Sequence, residues 1–212
     1  MRPVLTQLYE NFLNDDDCPS FIKEVSRRYL ISTLEKLTES GEVLTRRGAV
    51  LALGFLADFD TNLTLGSLLK DANPTVRSMA EQAIQQIWFR IGSDAEQKEI
   101  LILERLNLAN EFENTVARST RLIHSNPDLA EVWNQRAIAQ FNLMRFSESI
   151  KDCYETLERN PFHYPAAIGM GHSYLEINDT FNAIESFKRA LTLNPGLNFI
   201  RAQINYLKKS LN

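Results

Sequence analysis

The chain has 212 residues, of which 44% are hydrophobic and 24% are charged, a composition typical of a folded globular protein. Its formal net charge is −4, and neither half is basic: residues 1–94 carry 10 basic and 13 acidic side chains, and residues 95–212 carry 13 and 14. This charge argues against nucleic acid as a partner. No run of about 18 apolar residues is present, so we expect no membrane span.

The cysteines and histidines indicate neither a disulfide nor a metal site. Cys18 and Cys153 are far apart and form no CxxC pair, which favours a reducing compartment. His124, His163 and His172 lack the HxxxH or HxxC spacing of metal ligands, and no Gly-rich phosphate loop is present, so we expect no metal and no cofactor. The chain starts without a long apolar segment and soon becomes acidic, which argues against a secretory signal and favours a cytoplasmic location.

The first half contains a weak internal repeat. Residues 45–54 and 76–85 are similar at an offset of 31, with Arg46 aligned with Arg77, and the second copy follows a turn that contains Asp71. The pattern resembles short HEAT-like repeats of the kind found in phycobilin-lyase-type proteins. In those repeats an Asp in the turn and an Arg on the second helix form a ladder between units. The resemblance implies structural roles for Asp71 and Arg77.

The second half has a stronger repeat, marked by three Asn-Pro pairs at a constant offset of 34: Asn126-Pro127, Asn160-Pro161 and Asn194-Pro195. A fixed period of this length predicts an array of helical hairpins. Each unit is predicted to contain two helices of about 14 residues, with turns at Met144-Arg145 and Asn178-Asp179. Pro161 and Pro195 are predicted to end second helices, because proline lacks an amide proton and restricts the residue before it.

Small residues recur where two antiparallel helices of a unit would approach closely: Ala137 and Gly171 on first helices, Ser149 and Ala183 on second helices. These features resemble the tetratricopeptide repeat (TPR) family over about residues 96–212. The first unit departs from the pattern, because larger residues take the small-residue positions: Leu103 and Thr115.

The predicted fold is all-α: an α-solenoid of HEAT-like hairpins followed by three TPR hairpins and a C-terminal capping helix. The arrangement resembles bacterial-type HEAT/TPR fusion proteins whose activity is not established. The capping helix is predicted to place five apolar residues on one side: Phe199, Ile200, Ile204, Leu207 and Leu211. The predicted regions are a HEAT-like region over 1–92 and a TPR region over 93–212, with units at 96–127, 130–161 and 164–195 and the cap at 196–212.

A TPR array offers the inner faces of its first helices to a partner. Helical spacing places ten residues there: Ile100, Glu104, Asn107, Asn134, Ile138, Phe141, Asn142, Ile168, His172 and Leu175. TPR proteins that grip acidic chaperone tails use a lysine/asparagine carboxylate clamp. Here only Asn134 matches, while Ile100 and Pro165 stand where lysines are expected, so the clamp is not supported.

Three groups in this region allow two interpretations each. Trp133 is predicted to be a buried core residue, with a ligand-stacking platform as the alternative. Arg136 is predicted to form a structural ion pair with Asp152, the alternative being an arginine turned into the groove to meet a carboxylate. His172 and Glu176 are four residues apart and are predicted to form a surface pair, with partner binding as the alternative.

The leading functional hypothesis is a non-catalytic adaptor or scaffold that binds a peptide or protein segment in the concave TPR groove. Ser173 follows Gly169-Met170-Gly171-His172, but the second glycine of a nucleophile elbow is missing, so catalysis is not expected. The alternative is an enzyme or lyase-type accessory protein that binds a small ligand between the two halves, with Cys18 and Cys153 as its only thiols. A third option is a stoichiometric assembly component.

Overall fold

The computed structural model describes residues 3–210, which form thirteen α-helices and contain no β-strand. The predicted all-α class is confirmed. By its internal packing the chain divides into two compact units, Met1–Arg90 and Ile91–Asn212, which we call unit 1 and unit 2. Within residues 3–210, no helix combines the length and the apolar character that crossing a membrane requires.

The described part of unit 1 contains six α-helices and a short 3-10 turn, Phe59–Thr61. The helices are α1 Val4–Asp15, α2 Cys18–Arg28, α3 Ile31–Leu37, α4 Val43–Leu56, α5 Asn62–Leu68 and α6 Pro74–Trp88. The pairs α3–α4 and α5–α6 are hairpins that start at positions 31 and 62, in agreement with the offset of the sequence repeat. Leu34 and Leu65 occupy equivalent positions and are fully buried.

The described part of unit 2 contains seven helices. They are α7 Asp94–Leu108, α8 Phe112–Ser125, α9 Ala130–Asn142, α10 Phe146–Arg159, α11 Tyr164–Glu176, α12 Thr180–Leu193 and α13 Asn198–Ser210. Ser93 caps α7 in a reciprocal capping box with Glu96, which satisfies two amide groups at the helix start.

The period of the Asn-Pro pairs is repeated in the helix starts of unit 2. The second helices α8, α10 and α12 begin at positions 112, 146 and 180, and α9, α11 and α13 begin at 130, 164 and 198. The turn inside each hairpin places one residue in the left-handed region: Asn110, Met144 and Asn178, with φ of 60°, 59° and 61°. The predicted turns at Met144-Arg145 and Asn178-Asp179 lie between the helices of their hairpins.

The asparagine of each Asn-Pro pair closes the turn that leads to the next unit. The Oδ1 atoms of Asn126, Asn160 and Asn194 accept hydrogen bonds from the backbone N–H two residues later, at 3.3, 3.2 and 2.9 Å. Such Asx turns need a short side chain with an acceptor. Because the following proline cannot continue the helix, the pair both ends one unit and aims the chain into the next.

The small residues of unit 2 allow helices to approach closely, as their pattern predicts. Ser149 on α10 donates a hydrogen bond to the carbonyl of Ala137 on α9 at 2.9 Å, and both residues are buried. Ala183 on α12 is fully buried. A Cβ atom at Gly171 would lie 2.6 Å from Cδ1 of the buried Phe187, so only glycine fits there.

The last helix covers the end of the array with part of its apolar side. Ile200 and Ile204 are buried, and α13 packs against α12. Phe199 was predicted to share this side but is 60% exposed, because it lies one residue ahead of Ile200 and therefore about 100° around the helix. Leu211 lies outside the described residues.

Candidate functional site

An apolar cleft of about 180 Å³ lies in unit 2, where it is formed by three consecutive helices. We call it the α9–α11 cleft. It is lined by Asn134, Ala137, Ile138, Phe141 and Asn142 of α9, Ser149 and Cys153 of α10, and Pro165, Gly169 and His172 of α11. The helical repeat creates it, because successive first helices stand side by side while the second helix between them supplies the floor.

The cleft has a buried floor and a half-open apolar wall. Ser149 and Cys153 are almost fully buried, whereas Ile138 on α9 is 39% exposed. Phe141 packs edge-on against Phe146 at a centroid distance of 5.5 Å, which fixes its ring on the wall. Gly169 widens the opposite side, since a Cβ at that position would meet only the Cys153 sulfur at 3.5 Å.

His172 gives the cleft a neutral polar edge. Its ring stacks edge-on against Phe187 at 5.1 Å and is half-buried. Burial lowers the pKa of His172 below its ordinary value of 6.5, although the nearby charge of Glu176 acts in the opposite direction. The imidazole is therefore uncharged at neutral pH, and it offers one donor and one acceptor instead of a positive charge.

Cys153 is a packed thiol and not a nucleophile. Burial, with a smaller effect of the Asp152 charge, raises its pKa to about 12, against an opposing hydrogen bond with Ser149. A thiol of this pKa is protonated at neutral pH and is a poor nucleophile and metal ligand. Within residues 3–210, no three His, Cys, Asp or Glu side chains converge on a common metal position.

Ser173 is likewise a structural residue. Its hydroxyl is completely buried and donates to the carbonyl of Gly169 at 2.9 Å, and it lies 3.0 Å from the Ser149 hydroxyl. The contact with Ser149 holds α11 against α10. The local resemblance to a nucleophile elbow therefore has no catalytic counterpart in the geometry.

Five of the predicted groove residues line the α9–α11 cleft: Asn134, Ile138, Phe141, Asn142 and His172. Ile168 and Leu175 are half-buried on α11 outside that lining, and Glu104 is half-buried on α7. Two residues differ from the expectation. Ile100 is fully buried and so cannot contribute to a groove, and the amide of Asn107 donates to the Gln135 carbonyl and Oε1, which ties α7 to α9.

A buried polar network beneath the cleft was missed from the sequence. Glu131, only 2% exposed, accepts hydrogen bonds from Asn134 at 3.0 Å and from Gln135 at 2.7 Å, and its other oxygen lies 3.0 Å from Nε2 of His163. Nδ1 of His163 accepts the Ala166 N–H, so Nε2 carries the proton that faces Glu131. The network joins α9 to the start of α11. Only the spacing of Glu131, Asn134 and Gln135 on one helix face could have indicated it.

Trp133 was predicted to be a buried core residue, and that prediction is wrong. Its indole is only partly buried and contacts two guanidinium groups, Arg136 at 4.9 Å and Arg159 at 4.7 Å, and its Nε1 donates to the Pro127 carbonyl. The rings of tryptophan favour such cation–π contacts at partly exposed sites. The indole thus secures the turn between units and lies outside the cleft lining.

Arg136 makes the two-pronged contact with Asp152 that the sequence suggested as a structural pair, with N···O distances of 2.8 and 2.7 Å. Its third nitrogen donates to Thr120 at 3.0 Å, so the guanidinium joins α8, α9 and α10. Burial raises the pKa of Asp152 in spite of the opposing effect of Arg136. The arginine is fully engaged within unit 2 and does not reach toward the cleft.

In unit 1, Asp71 pairs with the arginine of the preceding hairpin. Its carboxylate accepts from Arg46 at 2.9 and 3.1 Å, while Arg77 of its own hairpin donates to the Asp71 carbonyl at 2.7 Å. The equivalent arginines thus share one contact, since Arg46 also donates to the carbonyl of Ser40 at 2.8 Å, the position equivalent to Asp71. Arg46 differs in that it also binds the carboxylate of the next hairpin.

Pro165, Gly169 and Cys153 line the cleft but were not predicted as groove residues. The repeat register could have identified Pro165 and Gly169, because they lie on the first helix that carries His172. Cys153 could not be found in this way, since helical spacing alone does not show how far a floor residue reaches between two neighbouring helices.

No protein-family model matches the chain. Sperm-associated antigen 1 of Rattus norvegicus is 24% identical over 103 residues, 49% of this chain and 11% of that protein. A TPR repeat-containing protein of Rhizobium etli is 28% identical over 85 residues, 40% of this chain and 42% of that protein. The matched region thus spans less than half the length of these curated relatives.

The chain also matches two solved structures. MamA of AMB-1 has a TM-score of 0.43 and 19% identity, over 77% of this chain and 95% of that chain. The TPR2AB domain of yeast Sti1, in a complex with pHSP90, has a TM-score of 0.49 and 18% identity, over 96% and 82%. Unit 2 is thus a regular array of helical hairpins, and the chain is similar over 85 residues to a TPR repeat-containing protein.

Proposed function

We propose that this protein is a non-catalytic adaptor that binds an extended peptide or protein segment in the α9–α11 cleft. The observation that carries the proposal is an apolar cleft at the surface, with Ile138 and Phe141 on its wall and the exposed amide of Asn142 at its edge. An exposed apolar surface costs free energy in water, and a partner side chain that enters the cleft removes that cost.

The polar groups at the cleft edge suit a main chain. Asn142 is exposed, and its amide donates to the Ile138 carbonyl of its own helix, so its Oδ1 is available to a partner N–H. His172 adds an uncharged imidazole on the opposite side. Recognition by one apolar anchor and a few backbone hydrogen bonds is a common way of binding extended segments.

The test is a selection from a phage-displayed library of linear peptides, followed by affinity measurement of a selected peptide by fluorescence polarisation. Ile138→Asp places a charge in the cleft and should weaken binding at least tenfold, because burying an unpaired carboxylate is costly. Ile177→Asp is the matched control: Ile177 is 42% exposed, close to the 39% of Ile138, but lies outside the cleft lining. Equal weakening by both variants, or no selected peptide, would refute the proposal.

We also propose that unit 1 is a HEAT-like region, extending over about residues 1–92, and that residues 93–212 form the TPR region. Two successive hairpins, starting at positions 31 and 62, and the contact between Arg46 and Asp71 across them support this assignment. The boundary is tested by limited proteolysis of the full chain. Protease cleavage confined to residues 89–94 would support it, and cleavage within α4 or α6 would count against it.

A further inference from the structure

The groove positions beside the α9–α11 cleft carry carboxylates that no described residue neutralises. Glu104, Ile138 and His172 are equivalent in the repeat register and therefore occupy the same position on α7, α9 and α11. Ile138 and His172 line the cleft, which places Glu104 at the equivalent point one hairpin earlier. Glu104 is half-buried, and no residue of the described range 3–210 donates a hydrogen bond or an ion pair to its carboxylate.

Glu176 is the second such carboxylate. It is the last residue of α11 and lies four residues beyond His172, so it projects from the same helix face as the cleft edge. Its side chain is exposed and makes no hydrogen bond to any described residue. A negative charge at the C-terminal end of a helix is unfavourable, because the carbonyl groups there already carry partial negative charge. The stability of α11 therefore gives no reason for Glu176.

The groove positions of these helices hold no compensating cation. Positions 100, 104, 107 and 108 of α7 contain no lysine or arginine, and neither do the equivalent positions of α9 (134, 138, 141 and 142) and α11 (168, 172, 175 and 176). Burial keeps His172 neutral, since its pKa lies below the ordinary value. The first cation in this register is Lys209 on α13. The groove face that forms and flanks the cleft is therefore acidic as well as apolar.

We propose that the occupant of the α9–α11 cleft is a basic peptide segment, in which one bulky apolar side chain is flanked by lysine or arginine. This inference rests on the proposed function. A cavity of about 150 Å³ holds a group the size of benzene, so a cleft of about 180 Å³ accommodates one aromatic or branched side chain. The flanking cations would lie against Glu104 and Glu176, which matches the charge of the groove and excludes an acidic tail.

The experiment uses three fluorescein-labelled, terminally blocked peptides that share a Leu-Phe anchor: GSKLFKSG, GSSLFSSG and GSELFESG. Their affinities for the full chain are measured by fluorescence polarisation in 0.05 M and 0.5 M NaCl. We expect the lysine peptide to bind about fivefold more tightly than the serine peptide at low salt, as two partly exposed ion pairs allow. The glutamate peptide should bind most weakly, and high salt should reduce the differences.

Two double variants locate the charge effect. Glu104→Gln with Glu176→Gln should abolish the preference for lysine. Glu148→Gln with Glu158→Gln changes the net charge equally at exposed positions of α10 and should preserve it. Urea unfolding checks the fold, and Glu176→Gln should be at least as stable as the wild type because it removes an unfavourable charge from a helix end.

The outcomes separate this inference from the proposed function. Equal binding of all three peptides that is lost in Ile138→Asp would overturn the basic partner and leave the cleft as a peptide site. A preference for the glutamate peptide, or a lysine preference that survives in the Glu104/Glu176 variant, would also overturn it. No binding of any peptide at 1 mM would count against both.

Discussion

At the scale of single residues, three turns of unit 2 need the same left-handed backbone but are filled by different residues. Asn110, Met144 and Asn178 have φ near +60°. Asparagine visits this region readily because its short polar side chain forms local hydrogen bonds, whereas methionine has the usual steric cost of a Cβ atom. Met144 gains nothing from packing in return, since it is 78% exposed.

Met144→Gly should therefore raise the free energy of unfolding by about 0.5–1 kcal/mol, the steric relief being partly offset by the greater entropy of glycine in the unfolded chain. The measurement is urea denaturation followed by circular dichroism. Asn178→Gly at the equivalent turn is the control and should change stability by less than about 0.5 kcal/mol. A destabilised Met144→Gly would show that the side chain makes a contact that its exposure conceals.

A second prediction at this scale concerns Asp71, because its environment lowers its pKa. Burial alone would raise its pKa, but hydrogen bonds from Arg46 and the Asn73 N–H, with the charges of Arg46 and Arg77, outweigh burial and hold the pKa below 3.8. A carboxylate whose pKa is lower in the folded state stabilises the fold above the unfolded pKa. That stabilisation is lost as the pH falls from about 3.8 through the folded pKa.

Asp71→Asn should cost about 2 kcal/mol at pH 7, because Arg46 loses a charged acceptor. The difference from the wild type should shrink when urea unfolding is repeated at pH 3 or below. Glu39→Gln, at an exposed position of the same unit, should show no such pH-dependent difference. A gap between Asp71→Asn and the wild type that is the same at both pH values would mean that the contact is mainly steric and not ionic.

At the scale of helices, two glycines of α11 are only two residues apart but have opposite surroundings. A Cβ at Gly171 would overlap the ring of Phe187, which is fully buried on α12, whereas a Cβ at Gly169 would make an ordinary 3.5 Å contact with Cys153. Glycine also costs about 1 kcal/mol relative to alanine inside a helix. At Gly171 the lack of space favours glycine while helix propensity favours alanine. At Gly169 there is room for a Cβ atom, so helix propensity alone decides in favour of alanine.

Gly171→Ala should destabilise the protein by about 1–3 kcal/mol, because the overpacked Phe187 must move. Gly169→Ala should stabilise it by up to about 1 kcal/mol, since it gains helix propensity without a clash. The measurement is urea unfolding of both variants. Each serves as the control for the other, because both replace glycine by alanine on the same helix. Similar effects of the two substitutions would mean that α11 and α12 do not approach as closely as the packing of Phe187 indicates.

The helices were predictable from sequence where residues close together in the chain determine the turns and the helix contacts. The Asn-Pro pairs fix the period because each one closes an Asx turn, and small residues such as Ala137 mark close helix contacts. Trp133 was misplaced because its contact with Arg159 depends on the position of the neighbouring helix α10, although Arg136 lies on its own helix. The buried Glu131 was missed for a similar reason: the pattern within α9 indicates only its partners Asn134 and Gln135, whereas His163 is 32 residues away.

At the scale of the whole molecule, the candidate site followed from the repeat register only in outline. Ile138 and His172 are equivalent in the repeat register, and both line the cleft. Ile100 is equivalent to Asn134, which also lines the cleft, but Ile100 itself is fully buried by its neighbours. Register predicts which helix face a residue lies on. How deeply the neighbouring helices cover that face depends on the side chains of three elements at once, so the cleft itself required the structure.

The same dependence on neighbours predicts how unit 2 unfolds. In a repeat array each hairpin contacts mainly the next, so the effect of a local defect should fall off with distance along the array. Ile200 is fully buried where α13 meets α12, and Ile200→Ala should cost about 2–4 kcal/mol. Hydrogen exchange should then show the largest loss of protection in α12 and α13 and the smallest in α7 and α8. The adjacent Phe199→Ala, at a 60% exposed position, should leave protection nearly unchanged.

An equal loss of protection in all seven helices would mean that unit 2 unfolds as one cooperative body. The α9–α11 cleft would then be coupled to every hairpin of unit 2 and not only to its own three helices.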